Sequence, residues 1–132
     1  MFVNRATIDD WTGPLNHERE VEAPAWPSVA RLISELDAQT HTMLCLHGLD
    51  GSHLIIGGGD GRYVAYVSDT KGRSWNLTSK TGPAGTIMLN AGGQIGDFPS
   101  NQVVDRKLVI RAAETFFQSG DLDQSLLWVL QP

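Results

Sequence analysis

Four histidines, one cysteine, a run of three glycines and a set of closely spaced carboxylates are the residues of this chain that could do chemistry. His17, His41, His47 and His53 would suit a zinc ion if two stood one helical turn apart and thiolates completed a tetrahedral set. None has that i, i+4 spacing, and Cys45 is the single cysteine. His47 and His53 flank one turn, so a hairpin would set them side by side. Asp50-Gly51 and Asp60-Gly61 lack the acidic spacing of a calcium loop. Gly57-Gly58-Gly59-Asp60-Gly61 invites comparison with a phosphate-binding loop, but such a loop opens a helix whose N–H groups face the anion. Here Arg62–Val67 follows, a strand pattern, and the glycines read as a hairpin turn. A serine hydrolase would carry a G-x-S-x-G elbow, which does not occur. Asp9, Asp10, Glu18, Glu20 and Glu22 could pair for acid–base work, opposed only by Arg19 in that stretch. They fall in a segment read as irregular and flexible, whereas proton transfer needs rigid positioning and a tuned pKa. These acids read as solvated groups or as a partner-binding surface. Cys45, inside Met43–Leu46, reads as small packing. No catalytic, cofactor or metal site is expected.

Composition narrows the class further. A chain of 132 residues with 41% hydrophobic and 19% charged residues can bury one core without disulfides or metals, so one domain is expected. A formal net charge of −5 argues against a nucleic-acid partner, which would select a basic footprint. The lone cysteine fits a reducing compartment. Met1–Arg5 lacks a basic region followed by an apolar core, and no apolar run reaches membrane-spanning length. A cytoplasmic protein without a membrane role is the expectation, with the oligomeric state open.

The elements that must position these residues can be read from periodicity. The chain starts with a short strand over Phe2–Ile8, then the Pro-punctuated stretch to Trp26. Pro24 and Pro27 bracket Trp26 and lead into a helix to about Ala38, with Val29, Leu32, Ile33 and Leu36 as its apolar stripe. From Thr42 the period becomes two. Thr42–His47, His53–Ile56, Arg62–Ser68, Ser74–Thr78 and Thr86–Leu89 read as short strands separated by turn-forming clusters, the last being Lys80–Pro83. Connections this short make an antiparallel meander across residues 42–90. Its turns alternate between two ends, which places Asp50, Asp69 and Asp97 at one end and Asp60 and Lys80 at the other. A second helix spans Asp105–Gln118, with Asp105 as N-cap, Gly120 as left-handed stop and Val109, Ala112, Ala113, Phe116 and Phe117 on one face. A strand over residues 126–131 closes the chain. The fold class is α+β: one curved antiparallel sheet packed by two main helices, with a C-terminal strand after the second.

Trp75 alternates with Leu77 in a one-sided strand, while Leu126–Leu130 around Trp128 is apolar on both faces and reads as central or covered. Both tryptophans are expected in the core. Trp11 and Trp26 lie in the irregular N-terminal part and read as exposed anchors.

Leu54-Ile55-Ile56-Gly57-Gly58, the strand Tyr63–Val67, Trp75, Asp97-Phe98-Pro99, Ala112-Ala113, Phe116-Phe117-Gln118-Ser119-Gly120 and Trp128 together resemble an immunity-protein family of bacterial polymorphic toxin systems. Its members neighbour deaminase-type toxins. The resemblance runs from about Thr42 to Val129. It implies a non-catalytic protein that binds a cognate toxin domain, a deaminase or nuclease, and occludes its active site. A basic cleft on such a toxin would be met by acidic groups, and charge placement nominates Asp50, Asp69 and Asp97 together with Asp9, Asp10, Glu18, Glu20, Glu22 and Trp11. The other readings are a small-ligand-binding or regulatory α+β module with an apolar pocket, and, least favoured by the residues, an enzyme.

Overall fold

The computed structural model describes residues 1–79 and 85–132. In chain order the elements are β1 (Val3–Ile8), β2 (Trp11–Thr12), β3 (Leu15–Asn16), β4 (Arg19–Glu22), α1 (Trp26–Glu35), β5 (Met43–Gly48), β6 (His53–Gly59), β7 (Arg62–Ser68), β8 (Ser74–Thr78), β9 (Thr86–Ala91) and β10 (Gln94–Pro99). A 3₁₀ turn (Ser100–Gln102), α2 (Arg106–Ser119) and β11 (Leu127–Leu130) follow. The fold is α+β. Among the described residues, seven strands form one antiparallel sheet in the order β11-β8-β7-β6-β5-β1-β4, and both helices cover one of its faces.

Alternation within each strand decides which side chains meet the helices. Ala6 and Ile8 of β1, Leu44 and Leu46 of β5, Leu54 and Ile56 of β6, Ala65 and Val67 of β7 and Leu77 of β8 all enter the core. There they meet Val29, Leu32, Ile33 and Leu36, the stripe expected for the first helix, and the five residues expected from the second. Each valine, leucine, isoleucine or phenylalanine among them contributes roughly 1.5–3 kcal/mol when fully buried. A one-residue slip of any central strand would turn its whole set to the opposite face, so the register is strongly specified. In β1, Val3 and Ala6 are both buried although three residues apart, and a bulge between Val3 and Arg5 restores the alternation. Asp105 accepts from Leu108 N–H, and Gly120 closes α2 at φ +76°, the left-handed region.

Five features differ from the reading of the sequence. The N-terminal stretch is ordered: β2 and β3 form a small hairpin and β4 pairs with β1, because Val21 alternates with Glu20 and Glu22 and packs against the core. The helix α1 stops at Glu35 rather than Ala38, since the Asp37 carboxylate accepts from the N–H groups of Gln39, Thr40 and His41 and turns the chain. The glycines 57–59 are strand, not turn; the turn is Asp60-Gly61, both at positive φ, as a two-residue type I′ hairpin requires. Thr86–Leu89 leaves the meander and pairs with β10, which places Asp97 opposite Met88 in a separate two-stranded ribbon. Finally β11 is an edge strand with Leu127, Val129 and Leu130 exposed; Trp128 alone of the four is half-buried, on the helix side. The turn expected at Lys80–Pro83 lies outside the described residues.

The glycine run now has a packing reason. A Cβ on Gly57 would sit 2.6 Å from Ala91 Cβ, and one on Gly59, at φ +145°, would sit 2.5 Å from backbone atoms of Leu36 and Asp37. Gly57 lets the β9–β10 ribbon cross the sheet, and Gly59 lets the chain leaving α1 pass against the strand.

Candidate partner-binding surface

The face of the sheet turned away from the helices carries the chemistry. Cross-strand partners share a face, so the registers define two rows. One runs Glu22, Arg5, His47, His53, Ser68, Ser74; the other runs Glu20, Thr7, Cys45, Ile55, Tyr66, Asn76, Val129. The β9–β10 ribbon lies over one end of this face, with Ala91 against Gly57 and Gly92 against Met43. Its tip is tied down where Gly93 N–H donates to Thr42 Oγ1 at 2.8 Å, and the Trp11 indole packs on Gly93.

Glu20 and Glu22 project from β4 onto this face, and Glu18 lines a cavity of about 110 Å³ with Thr7, Met43, Cys45 and Gly92. The spacing of two that marked these acids in the sequence is the period of a strand, and all three are exposed. Arg5 reaches Glu20 at 3.5 Å and His47 Nδ1 at 3.2 Å. The hydrogen bond between the two carboxyl groups raises Glu22 and lowers Glu20, which Arg5 also stabilises as the anion. Arg5 and the spacing of Thr7 carried no signal in the sequence, because their partners are 15 to 42 residues away.

His47 and His53 stand side by side, ring centroids 5.6 Å apart, as their positions about one turn predict. An arginine can only donate. His47 Nδ1 must then accept, which leaves the proton on Nε2 for Thr7 Oγ1 at 3.2 Å. Burial, and then the charges of Arg5 and His53, hold the His47 pKa below the usual imidazole value against the opposing pull of Glu18 and Glu20. A depressed pKa in the folded state contributes stability above the unfolded value of about 6.5, and that contribution is lost as pH falls through the folded value. Urea unfolding at pH 7, 6 and 5 should therefore show a steeper loss for the wild-type chain than for His47→Gln; parallel loss would contradict this role.

Burial pushes the Cys45 thiol up to about 11, which keeps the thiolate scarce near neutral pH. Among the described residues, no group of three or more His, Cys, Asp or Glu side chains could hold a metal ion.

The remaining expected site residues divide. Asp50 and Asp69 do share one end of the sheet and line one groove with Arg73, Trp75 and Asp121. Their carboxylates close their own turns. Asp50 accepts from the Ser52 hydroxyl and N–H. Asp69 accepts from Lys71 and Arg73 N–H, from the Trp75 indole and from the Arg73 guanidinium at 2.7 Å. Burial opposes the ionised form of Asp69, but these donors outweigh it and hold its carboxyl well below the usual range. Asp97 is absent from that end and is exposed on the ribbon. Asp10 is half-buried beside the β2–β3 hairpin. Asp9 is not a solvated acid: it is buried, accepting from Thr42 N–H at 2.6 Å, Met43 N–H at 3.0 Å, the Trp11 indole at 2.7 Å and the Thr42 hydroxyl. Trp11 is accordingly fixed against the fold rather than free, and Trp26 packs on Phe117 at 5.8 Å between ring centroids.

One face of the sheet lies under two helices, and the other presents a mixed row of charged, polar and apolar side chains. The family model of immunity protein Imm1 matches residues 17–130, and the chain belongs to that immunity protein family. The match reaches back beyond the resemblance read from Thr42 and takes in β4, with its glutamates, and α1. No curated protein matches the chain. Membership makes immunity against a protein toxin its function. No helix among the described residues is long and apolar enough to cross a membrane.

Proposed function

We propose that this chain binds a cognate toxin domain that modifies nucleic acid, a deaminase or a nuclease, and neutralises it by occluding the active site. The action is stoichiometric and non-catalytic, in the cytoplasm of the producing cell. The observation that carries this reading is the ladder of Glu18, Glu20 and Glu22 on the helix-free face of the sheet, beside an overall charge of −5. A domain that acts on nucleic acid must attract a phosphate backbone and so carries a basic cleft. An acidic, pre-ordered face is complementary to that cleft. It speeds encounter, and it competes for the cations that would otherwise hold substrate. The pairing with Arg5 keeps the Glu20 carboxylate in place before binding, which lowers the cost of ordering it.

The direct test is co-expression of this chain with the toxin domain encoded by the neighbouring gene. Cells should survive the toxin only when this protein is made. Equal killing with and without it would remove the proposal.

A further inference from the structure

The β9–β10 ribbon presents a second kind of contact. Alternation divides its side chains into two sets. Leu89 and Ala91 turn inward onto Gly58 and Gly57, while Met88, Ile95 and Asp97 turn outward. Met88 and Ile95 are each 68% exposed, on a two-stranded ribbon pinned at its tip by the Gly93–Thr42 hydrogen bond. Two large apolar side chains offered together on a braced support are what a dominant protein contact uses, because little conformational freedom is lost when they dock. Asp97 stands directly opposite Met88, and Gly92 at the ribbon tip lines the same cavity as Glu18. The apolar pair is therefore flanked by an acid, on a ribbon whose tip reaches the cavity that Glu18 lines.

We propose that Met88 and Ile95 are the apolar anchors of the toxin contact, fitting a socket rimmed by cations that pair with Asp97. This rests on the toxin-binding reading above and names the part of the surface that slows dissociation, the ladder governing encounter. The acid beside the pair favours a basic partner over a second copy of this acidic chain.

The test compares the full-length chain with Met88→Ala/Ile95→Ala, using the purified toxin domain encoded beside it. The substituted side chains are exposed, so the thermal midpoint should not move. Toxin affinity should fall by roughly 30-fold or more, the loss appearing in the dissociation rate with the salt dependence of association unchanged. Wild-type binding with the double variant within threefold of it would overturn the anchor proposal and leave toxin neutralisation standing. A wild-type dimer that the double variant abolishes, with toxin affinity unchanged, would also overturn it in favour of self-association. Failure of the wild-type chain to bind the toxin would overturn both readings.

Discussion

Reversing Glu18, Glu20 and Glu22 to lysine should slow association with the toxin by about 10²- to 10³-fold at low ionic strength. Each reversal changes the charge by two, so the formal net charge moves from −5 to +1. A surface that attracted a basic cleft would then repel it. The difference should shrink as salt rises, since exposed charges are screened over about 10 Å at 0.1 M. The fold should tolerate the change. The Arg5–Glu20 pair is 3.5 Å long with both side chains more than 40% exposed, and such pairs contribute at most about 1 kcal/mol. Stopped-flow association across a salt series, with thermal melts as control, separates the two effects. Unchanged association with unchanged salt dependence would show the ladder to be an ordinary solvated edge.

Asp9→Ala should cost about 3–5 kcal/mol of unfolding free energy, because several buried donors lose their shared acceptor, and that is a large part of what a domain of this size holds. The carboxylate is buried and gathers donors from Trp11, Thr42 and Met43, which belong to β2, the strand-entry loop and β5. Removing it strands those donors away from water, each at about 1–3 kcal/mol when unsatisfied, though groups sharing one acceptor relax together. The effect should reach the binding surface. Thr42 Oγ1, which donates to Asp9, also accepts from Gly93 at the ribbon tip, so the ribbon loses its pin as the core loses its tie. Urea unfolding reads the stability. A loss below about 1 kcal/mol would mean that the site refills, with water or a shifted side chain replacing the carboxylate.

What could be read along the chain was whatever neighbours in sequence decide. The second helix came out with its cap, its glycine stop and its buried face in place, because Asp105, Gly120 and the stripe from Val109 to Phe117 act within a few residues of one another. The meander from Met43 to Thr78 was legible for the same reason, its turns being two to five residues long. Asp9 looked like a solvated acid because all its donors but the Trp11 indole lie 33 and 34 residues ahead. Glycines 57–59 looked like a turn because a glycine marks either a bend or a close approach, and Ala91 and Leu36, which make it an approach, are distant in sequence. The glutamates are the instructive case. Their alternation was visible and was the signature of β4, but five acids with so few apolar residues between them obscured it. The edge position of β11 could not be read from Leu127–Leu130, since an apolar run fits a covered strand as well as an edge that awaits a partner.

Under the proposed function, this protein stops its toxin by covering the catalytic cleft. Titrating the purified chain into the neighbouring toxin domain, with turnover of a nucleic-acid substrate as readout, tests it most directly. Activity should fall linearly to zero at one equivalent, and saturating substrate should slow the onset of inhibition because both compete for the same cleft. Full toxin turnover in the presence of excess protein would contradict the account.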